Sequence, residues 1–212
     1  TLPAWVDPEH DCVEVDGQRL ARTAGRRRSE KKVYVLLNKP RYVITTSHDS
    51  YGRRTVFDLV DLPPSVAKRL FAVGRLDAES TGLILLTNDG EFCQKVAHPS
   101  HGLLKTYRVT LAKRLELETL KQLTLGLRDK GEFLKARHAR LLSTNNTRSE
   151  AELVLAEGRN REVRRMFKAL GFRVLRLQRV AVGPVKLGEL PPGKWRVLSR
   201  AEIASCLKPP GK

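Results

Sequence analysis

Cysteine is scarce in this 212-residue chain, and its three copies lie far apart. Cys12, Cys93 and Cys206 form no CxxC pair, so neither a disulfide framework nor a zinc site is indicated. Of the five histidines only His98 and His101 lie close together, and no further Cys, His or carboxylate pattern surrounds them. We therefore predict that the chain binds no metal, and its free thiols suit a reducing cytoplasm.

Long apolar runs are also missing. No stretch approaches the ~20 apolar residues that a helix needs to span a bilayer. The first residues lack the basic flank and apolar segment of a secretory leader. The sequence thus predicts a cytoplasmic protein with no membrane partner.

Acidic residues are outnumbered by basic ones. The chain has 40 Lys and Arg against 23 Asp and Glu, which gives a formal net charge of +17. Such an excess favours a polyanionic partner, with nucleic acid as the leading candidate. Composition alone leaves two alternatives, a merely soluble basic protein or one that rests on anionic lipid, but no long amphipathic basic helix supports the second.

From residue 33 onward, strand and helix patterns alternate irregularly, with few βαβ units of even length. This predicts an α+β domain with a largely antiparallel sheet and flanking helices. The final short helix begins at a Ser199–Glu202 capping box. The predicted strands are residues 33–37, 43–46, 71–73, 83–86, 105–111, 133–142, 150–155, 172–182 and 194–198, and the predicted helices are 55–60, 91–97, 114–123 and 158–170.

The N-terminal residues 1–30 differ from the remainder, residues 31–212. They contain a short alternating piece that ends in an Asp16-Gly17 turn signal. A charge-dense stretch, residues 24–32, follows and has the composition of an exposed linker whose basic run can touch phosphates. We therefore predict a small N-terminal region, residues 1–30, joined by a basic linker to one larger domain, residues 31–212.

One carboxylate, Asp77, lies in a glycine-bounded loop between two strand-like apolar segments. A lone Asp after a strand is more often a turn former or helix cap than a catalytic group. Two other acids nearby, Glu79 and Asp89, raise the alternative of a two-carboxylate glycosidase. We do not favour it, because Asp89 belongs to an Asn-Asp-Gly turn signal and neither acid is expected to face Asp77.

Four segments of the chain together resemble the pseudouridine synthases, in particular the branch containing RsuA and RluB that modifies ribosomal RNA. The resemblance spans roughly residues 31–206 and is sharpest in its Asp77 segment and in its last motif. It implies a bent, mixed sheet with two lobes around a central RNA-binding cleft. The segments are Gly-Arg-Leu-Asp with its Thr-Gly-Leu-Ile-Leu-Leu-Thr-Asn-Asp-Gly continuation, Leu-Asn-Lys-Pro, Lys-Thr-Tyr-Arg-Val and Glu-Gly-Arg-Asn-Arg-Glu-Val-Arg-Arg-Met.

The resemblance also implies an RNA-binding S4 domain before the catalytic part, and residues 13–17 look like the tail of one. The body of such a domain is missing from this sequence. Either the chain is a fragment, or its targeting to RNA is unusual.

The resemblance assigns the chemistry to Asp77. Isomerisation of uridine needs one ionised carboxylate, which acts either as a nucleophile at C1′ or as a base at C2′, and it needs no cofactor. Arg164 is the implied ion partner that keeps this carboxylate ionised, and Val163 the implied floor below the uracil. Tyr107 is the implied stacking surface, and its hydroxyl is a weaker candidate for proton removal at C5.

Further substrate contacts are predicted at basic side chains around these motifs. For Arg159, Arg161 and Arg165 the simpler interpretation is a solvated contact with an RNA phosphate. For Arg75 the alternative to an RNA contact is a structural salt bridge. The predicted contacts are Arg75, Lys39, Lys105, Arg159, Arg161 and Arg165.

The predicted function is that of a monomeric pseudouridine synthase acting on ribosomal RNA, more specifically the large subunit, because the Glu157–Met166 block looks closer to the RluB type. A synthase for small-subunit RNA is one alternative. A non-catalytic RNA-binding or ribosome-assembly protein with the same fold is another, and the intact Asp77, Tyr107 and Arg164 set argues against it. A methyltransferase is disfavoured, because no glycine-rich cofactor loop follows an early strand.

Overall fold

The computed structural model describes residues 14–19, 31–97 and 103–208. The chain forms two compact units, residues 1–31 and residues 32–212. In the first, β1 (Glu14–Val15) and β2 (Gln18–Arg19) form an antiparallel hairpin. Its two turn residues, Asp16 and Gly17, have φ angles of 52° and 74°, the pattern of a type I′ turn, so the predicted turn is confirmed. The predicted S4-like remnant otherwise lies largely outside the described residues.

The second unit mixes helices and strands along its whole length. A 3-10 turn, Phe57–Leu59, precedes its first helix. Its described helices are α1 Pro64–Ala67, α2 Gly90–Ala97, α3 Leu117–Leu125, α4 Glu162–Ala169 and α5 Arg200–Leu207. Its described strands are β3 Tyr34–Lys39, β4 Phe71–Val73, β5 Thr81–Thr87, β6 Lys105–Leu111, β7 Leu127–Asp129, β8 Glu132–Leu134, β9 His138–Thr144, β10 Ser149–Leu155, β11 Val174–Val182, β12 Val185–Lys186 and β13 Trp195–Val197.

Nine strands form one sheet in the order β13-β3-β5-β11-β6-β10-β9, with β4 added beside β5 and β12 beside β11. All its pairings are antiparallel except that of β5 with β11, while β7 and β8 form a separate hairpin. The predicted α+β fold with a mainly antiparallel sheet is therefore confirmed.

The parallel junction between β5 and β11 is short. It pairs Thr81 with Gln178 and Gly82 with Arg179. A Cβ atom on Gly82 would lie 2.2 Å from the backbone oxygen of Arg179, and the φ of Gly82 is 101°. Only glycine fits there, because both the close approach and the backbone angle exclude a side chain. The two halves of the sheet, β13-β3-β5 and β11-β6-β10-β9, thus meet at this glycine.

Two apolar cores explain the two kinds of strand in the sequence. In β3 and β5 consecutive residues face different cores, so both strands are continuous apolar runs. In β6 and β10 only alternate residues are buried, and the opposite face carries polar side chains except for Val154. α4 lays Val163, Met166 and Phe167 against the larger core and is followed by Gly171 at a φ of 74°, as its apolar stripe predicts.

Some predicted elements were wrong in kind or in bounds. Residues 43–46 form no strand but a loop with a single bridge from Ile44 to Thr55. The strand predicted at 133–142 is divided between β8 and β9. The helices predicted at 114–123 and 158–170 begin later, at Leu117 and Glu162, and the helix predicted at 55–60 is a 3-10 turn. Within the described ranges, no helix is long and apolar enough to cross a membrane.

Candidate active site

Asp77 lies in the loop that connects β4 to β5. The segment that follows β3 donates hydrogen bonds to the backbone of this loop. The Thr45 hydroxyl donates to the carbonyl oxygen of Leu76 at 3.1 Å. The backbone N–H of Tyr42 donates to the carbonyl oxygen of Ala78 at 2.7 Å. Both bonds flank Asp77, so the backbone on each side of the carboxylate is fixed. The residues predicted to form a strand at 43–46 act instead as this support.

Lys39 lies under the same loop and is fully buried. Its ammonium donates to the carbonyl oxygens of Val43 at 2.6 Å, Pro40 at 3.0 Å and Ala78 at 3.3 Å. Burial lowers the pKa of Lys39 to about 8, although the nearby charge of Asp77 opposes that shift. The prediction that Lys39 contacts substrate is therefore wrong for this structure, because every donor of the ammonium is committed to the backbone of the protein.

The side chain of Asp77 is 29% exposed, and Nη1 of Arg161 lies 3.4 Å from its Oδ2. The other terminal nitrogen of Arg161 lies 3.7 Å from Oε2 of Glu79, and Nη1 of Arg164 lies 3.8 Å from that same oxygen. The four side chains thus alternate in charge. The sequence predicts Arg164 as the ion partner of Asp77, whereas the direct partner in the structure is Arg161, because Arg164 is directed towards the carbonyl oxygen of Val174 at 3.5 Å.

Arg164 is nevertheless close to the catalytic candidate. Its side chain is only 12% exposed, and burial lowers its pKa, while the negative charges of Glu79 and Asp77 oppose that shift. Among the described residues its Nε has no hydrogen-bond partner. A guanidinium keeps its proton even so, because its ordinary pKa is far above neutrality. Arg164 therefore places a fixed positive charge behind the carboxylates.

The start of α4 forms the opposite wall. Arg161 is the residue that caps this helix, and its φ of 49° and ψ of 29° lie in the left-handed region. That conformation costs a residue other than glycine roughly 1–3 kcal/mol. A side-chain bond braces the turn, since the backbone N–H of Arg159 donates to Oε2 of Glu162 at 3.0 Å. Burial raises the pKa of Glu162, an acid that the sequence did not single out.

Between the two walls is a cleft of about 890 Å³. Tyr107 and Val163 lie at its floor, with 7% and 3% of their surfaces exposed. Asp77, Arg75 and Arg161 line it nearer to solvent. The structure therefore brings the predicted carboxylate, stacking ring and apolar floor into one cavity, and Arg164 stands behind its wall.

Two further predicted contacts line the cleft. Lys105 is half-buried, and burial together with the positive charge of Arg179 lowers its pKa. Arg159 pairs with Glu157 and donates to the carbonyl oxygen of Phe133 at 3.0 Å. Exposed Arg75 has no ion pair among the described residues, so the structural salt bridge considered for it is not observed there.

The structure corrects the prediction that Arg165 contacts RNA. Its Nε lies 2.6 Å from Oδ2 of Asp129, and its Nη1 lies 2.6 Å from Oε2 of Glu132. Its side chain is only 17% exposed and lies away from the cleft lining. Arg165 thus ties α4 to the β7–β8 hairpin, because α4 directs successive arginines to different sides, and it is not free to contact RNA.

Sequence reasoning also missed Arg179. It is buried on β11 beside Tyr107, lines the cleft and donates from Nε to the carbonyl oxygen of Leu83 at 2.7 Å. The signal that could have found it is its place two residues after Leu177, on the buried face of the strand, where an arginine is uncommon.

A metal site is not evident in the part of the chain that the structure describes, where no group of three or more His, Cys, Asp or Glu side chains could hold an ion. His98 and His101 lie outside that part.

Comparisons with known proteins agree with this geometry. The family model for RNA pseudouridylate synthase matches residues 33–169. The chain is 38% identical over 196 residues to the ribosomal large subunit pseudouridine synthase B of Bacillus subtilis, covering 91% of this chain and 76% of the relative. It is 40% identical over 200 residues to the ribosomal small subunit pseudouridine synthase A of Salmonella typhimurium, covering 93% of this chain and 81% of the relative.

A solved structure is similar as well. The crystal structure of a pseudouridylate synthase superimposes with a TM-score of 0.73 at 35% identity, covering 83% of this chain and 74% of that one. The fold and the cleft define an RNA-modifying enzyme of the isomerase class. The chain belongs to the RNA pseudouridylate synthase family.

Proposed function

We propose that this chain converts a specific uridine of ribosomal RNA into pseudouridine, with Asp77 as its catalytic carboxylate. The position of Asp77 is the observation that carries the proposal. It stands on a loop held by Thr45 and Tyr42, above a floor of Tyr107 and Val163, with a guanidinium 3.4 Å away. The hydrogen bonds fix the backbone on both sides of Asp77 and so aim its carboxylate, and the guanidinium compensates its negative charge.

The reaction breaks the N1–C1′ bond of uridine and forms a C5–C1′ bond. C5 loses a proton and N1 gains one, so atoms and electrons balance without an oxidant or a metal. Asp77 attacks C1′ or removes the proton at C2′, and either route requires its ionised form. The exposed edge of the carboxylate faces the cleft, where a ribose would have to lie.

The target nucleotide must leave its stack to reach Asp77, which lines the wall of a cleft. Tyr107 offers a flat ring that replaces part of the lost stacking, and Val163 closes the apolar floor beneath the uracil. The Tyr107 hydroxyl is proposed, in addition, to help remove the proton from C5. These roles are supported by the burial of both residues in the lining of the same cavity as Asp77.

We assign different roles to the two arginines near Asp77. Arg161 is 45% exposed, so an RNA phosphate can reach it and replace its contacts with Asp77 and Glu79. Arg164 is only 12% exposed, so a phosphate cannot reach it easily and it stays in place when RNA binds. Arg164 is then the cation that remains near the negative charge of Asp77 during the reaction, and Arg161 mainly contributes affinity.

Large-subunit RNA is the proposed substrate, and the enzyme is proposed to act as a monomer in the cytoplasm. The motif from Glu157 to Met166, which forms one wall of the cleft, supports the large subunit by its resemblance to the RluB type. Small-subunit RNA is the second candidate, because a relative of equal similarity is named for that subunit.

The test is a map of pseudouridine in both ribosomal RNAs of cells that lack the gene. We expect one uridine of the large-subunit RNA to lose its modification. Wild-type protein should restore it, and Asp77→Asn, produced at the same level, should not. Loss of a small-subunit site would move the substrate to the second candidate. No change in either RNA would contradict the proposed function.

A further inference from the structure

A second groove, of about 460 Å³, lies across the half of the sheet formed by β11, β6, β10 and β9. It shares no lining residue with the cleft that contains Asp77. Three arginines line it, Arg41, Arg148 and Arg176, together with one acid, Glu150. The groove is therefore a separate, net positive surface.

Two irregularities in strand pairing coincide with this groove. The β11–β6 register shifts between Val174 and Arg176, and the β10–β9 register shifts between Glu150 and Ala151. Both shifts fall beside the row in which Arg176 pairs with Thr110 and Thr110 pairs with Glu150. Bulges bend a strand and increase its local twist, so two of them in one row form a concave surface in a sheet face that would otherwise be open.

The groove arginines are free to bind a ligand. Arg41, Arg148 and Arg176 are exposed, and within the described ranges their guanidinium groups make no ion pair or hydrogen bond. Arg41 only stacks over the ring of Tyr42, 5.0 Å from its centroid. By contrast, Arg140, on the same sheet, is paired with an acid, Glu152, at 3.0 Å. Unpaired arginines with their fork-shaped donors are suited to phosphate oxygens.

The groove connects with the catalytic loop through Arg41 and Tyr42. The N–H of Tyr42 donates to Ala78, next to Asp77, while Arg41 lines the groove. Arg41 is also near enough to Arg164 for their like charges to lower the pKa of Arg164, after burial and the charges nearer to it. Arg164 and Arg41 thus place positive charge between the catalytic cleft and the groove, and Glu79 beside them is paired with Arg161 and Arg164.

We infer that this groove binds backbone phosphates of the substrate RNA at a segment outside the nucleotide held in the cleft. The inference rests on the proposed function. RNA is the occupant favoured by charge complementarity and by continuity with the catalytic cleft, and the absence of apolar side chains other than Leu175 from the lining disfavours a hydrophobic partner. Contacts of this kind add affinity and fix register, and they leave the chemical step unchanged.

The test compares the double variant Arg148→Gln/Arg176→Gln with a charge-matched control, Arg128→Gln/Arg200→Gln. The control arginines are exposed, lie outside both grooves and are likewise unpaired among the described residues. Each protein is titrated, at several salt concentrations, with a long RNA stem-loop containing the target uridine and with a short RNA of only a few nucleotides around it.

For the long RNA we expect the groove variant to bind about tenfold more weakly and its log Kd to depend less steeply on log salt, by roughly 0.7–0.9 for each phosphate that the variant no longer binds. The short RNA should bind all three proteins alike, and kcat at saturating long RNA should not change. Equal affinities of the groove variant and the control for the long RNA would overturn the inference.

Two further outcomes are decisive. If the groove variant lost affinity for a polyglutamate peptide and kept it for the long RNA, the groove would be an acidic-peptide site and the RNA assignment would be wrong. Formation of pseudouridine by wild-type protein is scored separately. The proposed function can therefore fail while the groove effect on RNA binding persists, and the groove can fail while isomerisation stands.

Discussion

The two walls of the cleft are built in opposite ways. The wall that carries Asp77 is held by buried donors, the ammonium of Lys39 and the hydroxyl of Thr45, which bind its backbone carbonyls. The wall at the start of α4 is braced by Glu162 within its own turn, presents exposed charges to the cleft and includes Arg161 in a left-handed conformation. Buried hydrogen bonds have no competition from water, whereas exposed ion pairs exchange readily with solvent and ligands.

This difference suggests a division of labour. The wall that carries Asp77, here called the buried wall, fixes the reacting carboxylate. The wall at the start of α4, here called the charged wall, adjusts to the RNA. Substitutions in the first should therefore act on kcat, and substitutions of exposed groups in the second on RNA affinity.

The largest expected effect is that of Asp77→Asn. Because an amide is neither a nucleophile nor a base, kcat should fall by roughly 10⁴ or more, while RNA affinity and fold are retained. Pseudouridine is counted by chromatography of nuclease-digested RNA. Glu79→Gln is the matched control, since it removes a carboxylate from the same loop, and it should keep kcat within about tenfold. Comparable losses in both variants would remove the special role of Asp77.

Tyr107→Phe tests the floor of the cleft. The ring is retained, so RNA should bind normally, but kcat should fall by about 10²-fold or more if the hydroxyl moves a proton. Tyr107→Ala should weaken binding as well, because the stacking surface is removed. The measurements are binding by fluorescence anisotropy and turnover at saturating RNA. An alanine variant as active as wild type would make Tyr107 a core residue only.

Three arginines at and after the start of α4 separate effects on kcat from effects on RNA affinity most clearly. Arg164→Met should lower kcat by about 10²-fold, because a buried charge near Asp77 is removed. Arg161→Met should mainly raise KM, since its exposed guanidinium is proposed to bind phosphate. Arg165→Met should leave both constants nearly unchanged and lower the melting temperature, because its partners are Asp129 and Glu132. A kcat loss confined to Arg161→Met would reverse the roles assigned to Arg161 and Arg164.

The smallest effect concerns Lys39 and the stability of the buried wall. Its pKa is about 8 in the folded protein against an ordinary 10.5, so between these pH values the unfolded chain holds a proton that the folded one has released. The free energy of unfolding should therefore gain a contribution that grows as pH rises from about 8 to 10.5. Urea unfolding of wild type and Lys39→Met across that range measures it. A stability difference between the two proteins that stays constant with pH would contradict the assignment.

Local patterns predicted much of this fold. The alternation of Tyr107, Val109 and Leu111 marked the bounds of β6, and the Ser199 capping box marked the start of α5. The strand predicted at residues 43–46 was wrong, because their apolar and β-branched residues support a loop rather than pair in a sheet.

The site was predictable in its members but not in all its pairings. The motifs identified Asp77, Tyr107 and Val163, which the fold brings to one cleft. Which arginine faces which acid depends on the left-handed turn at Arg161 and on the place of the β7–β8 hairpin. Neither is encoded in residue spacing, since both arise from contacts between distant parts of the chain. Lys39 was misassigned for the same reason, because a lysine in a short motif carries no sign of its burial.

The most direct test of the central claim is single-turnover release of tritium from ribosomal RNA labelled at C5 of uridine. It is run in EDTA and without added nucleotide, with wild type and Asp77→Asn each in excess over the RNA. We predict that wild type releases one tritium for each pseudouridine formed, and that Asp77→Asn binds the same RNA but releases none. Release by Asp77→Asn at the wild-type rate, or a wild-type protein that works only when a metal is restored, would contradict the account.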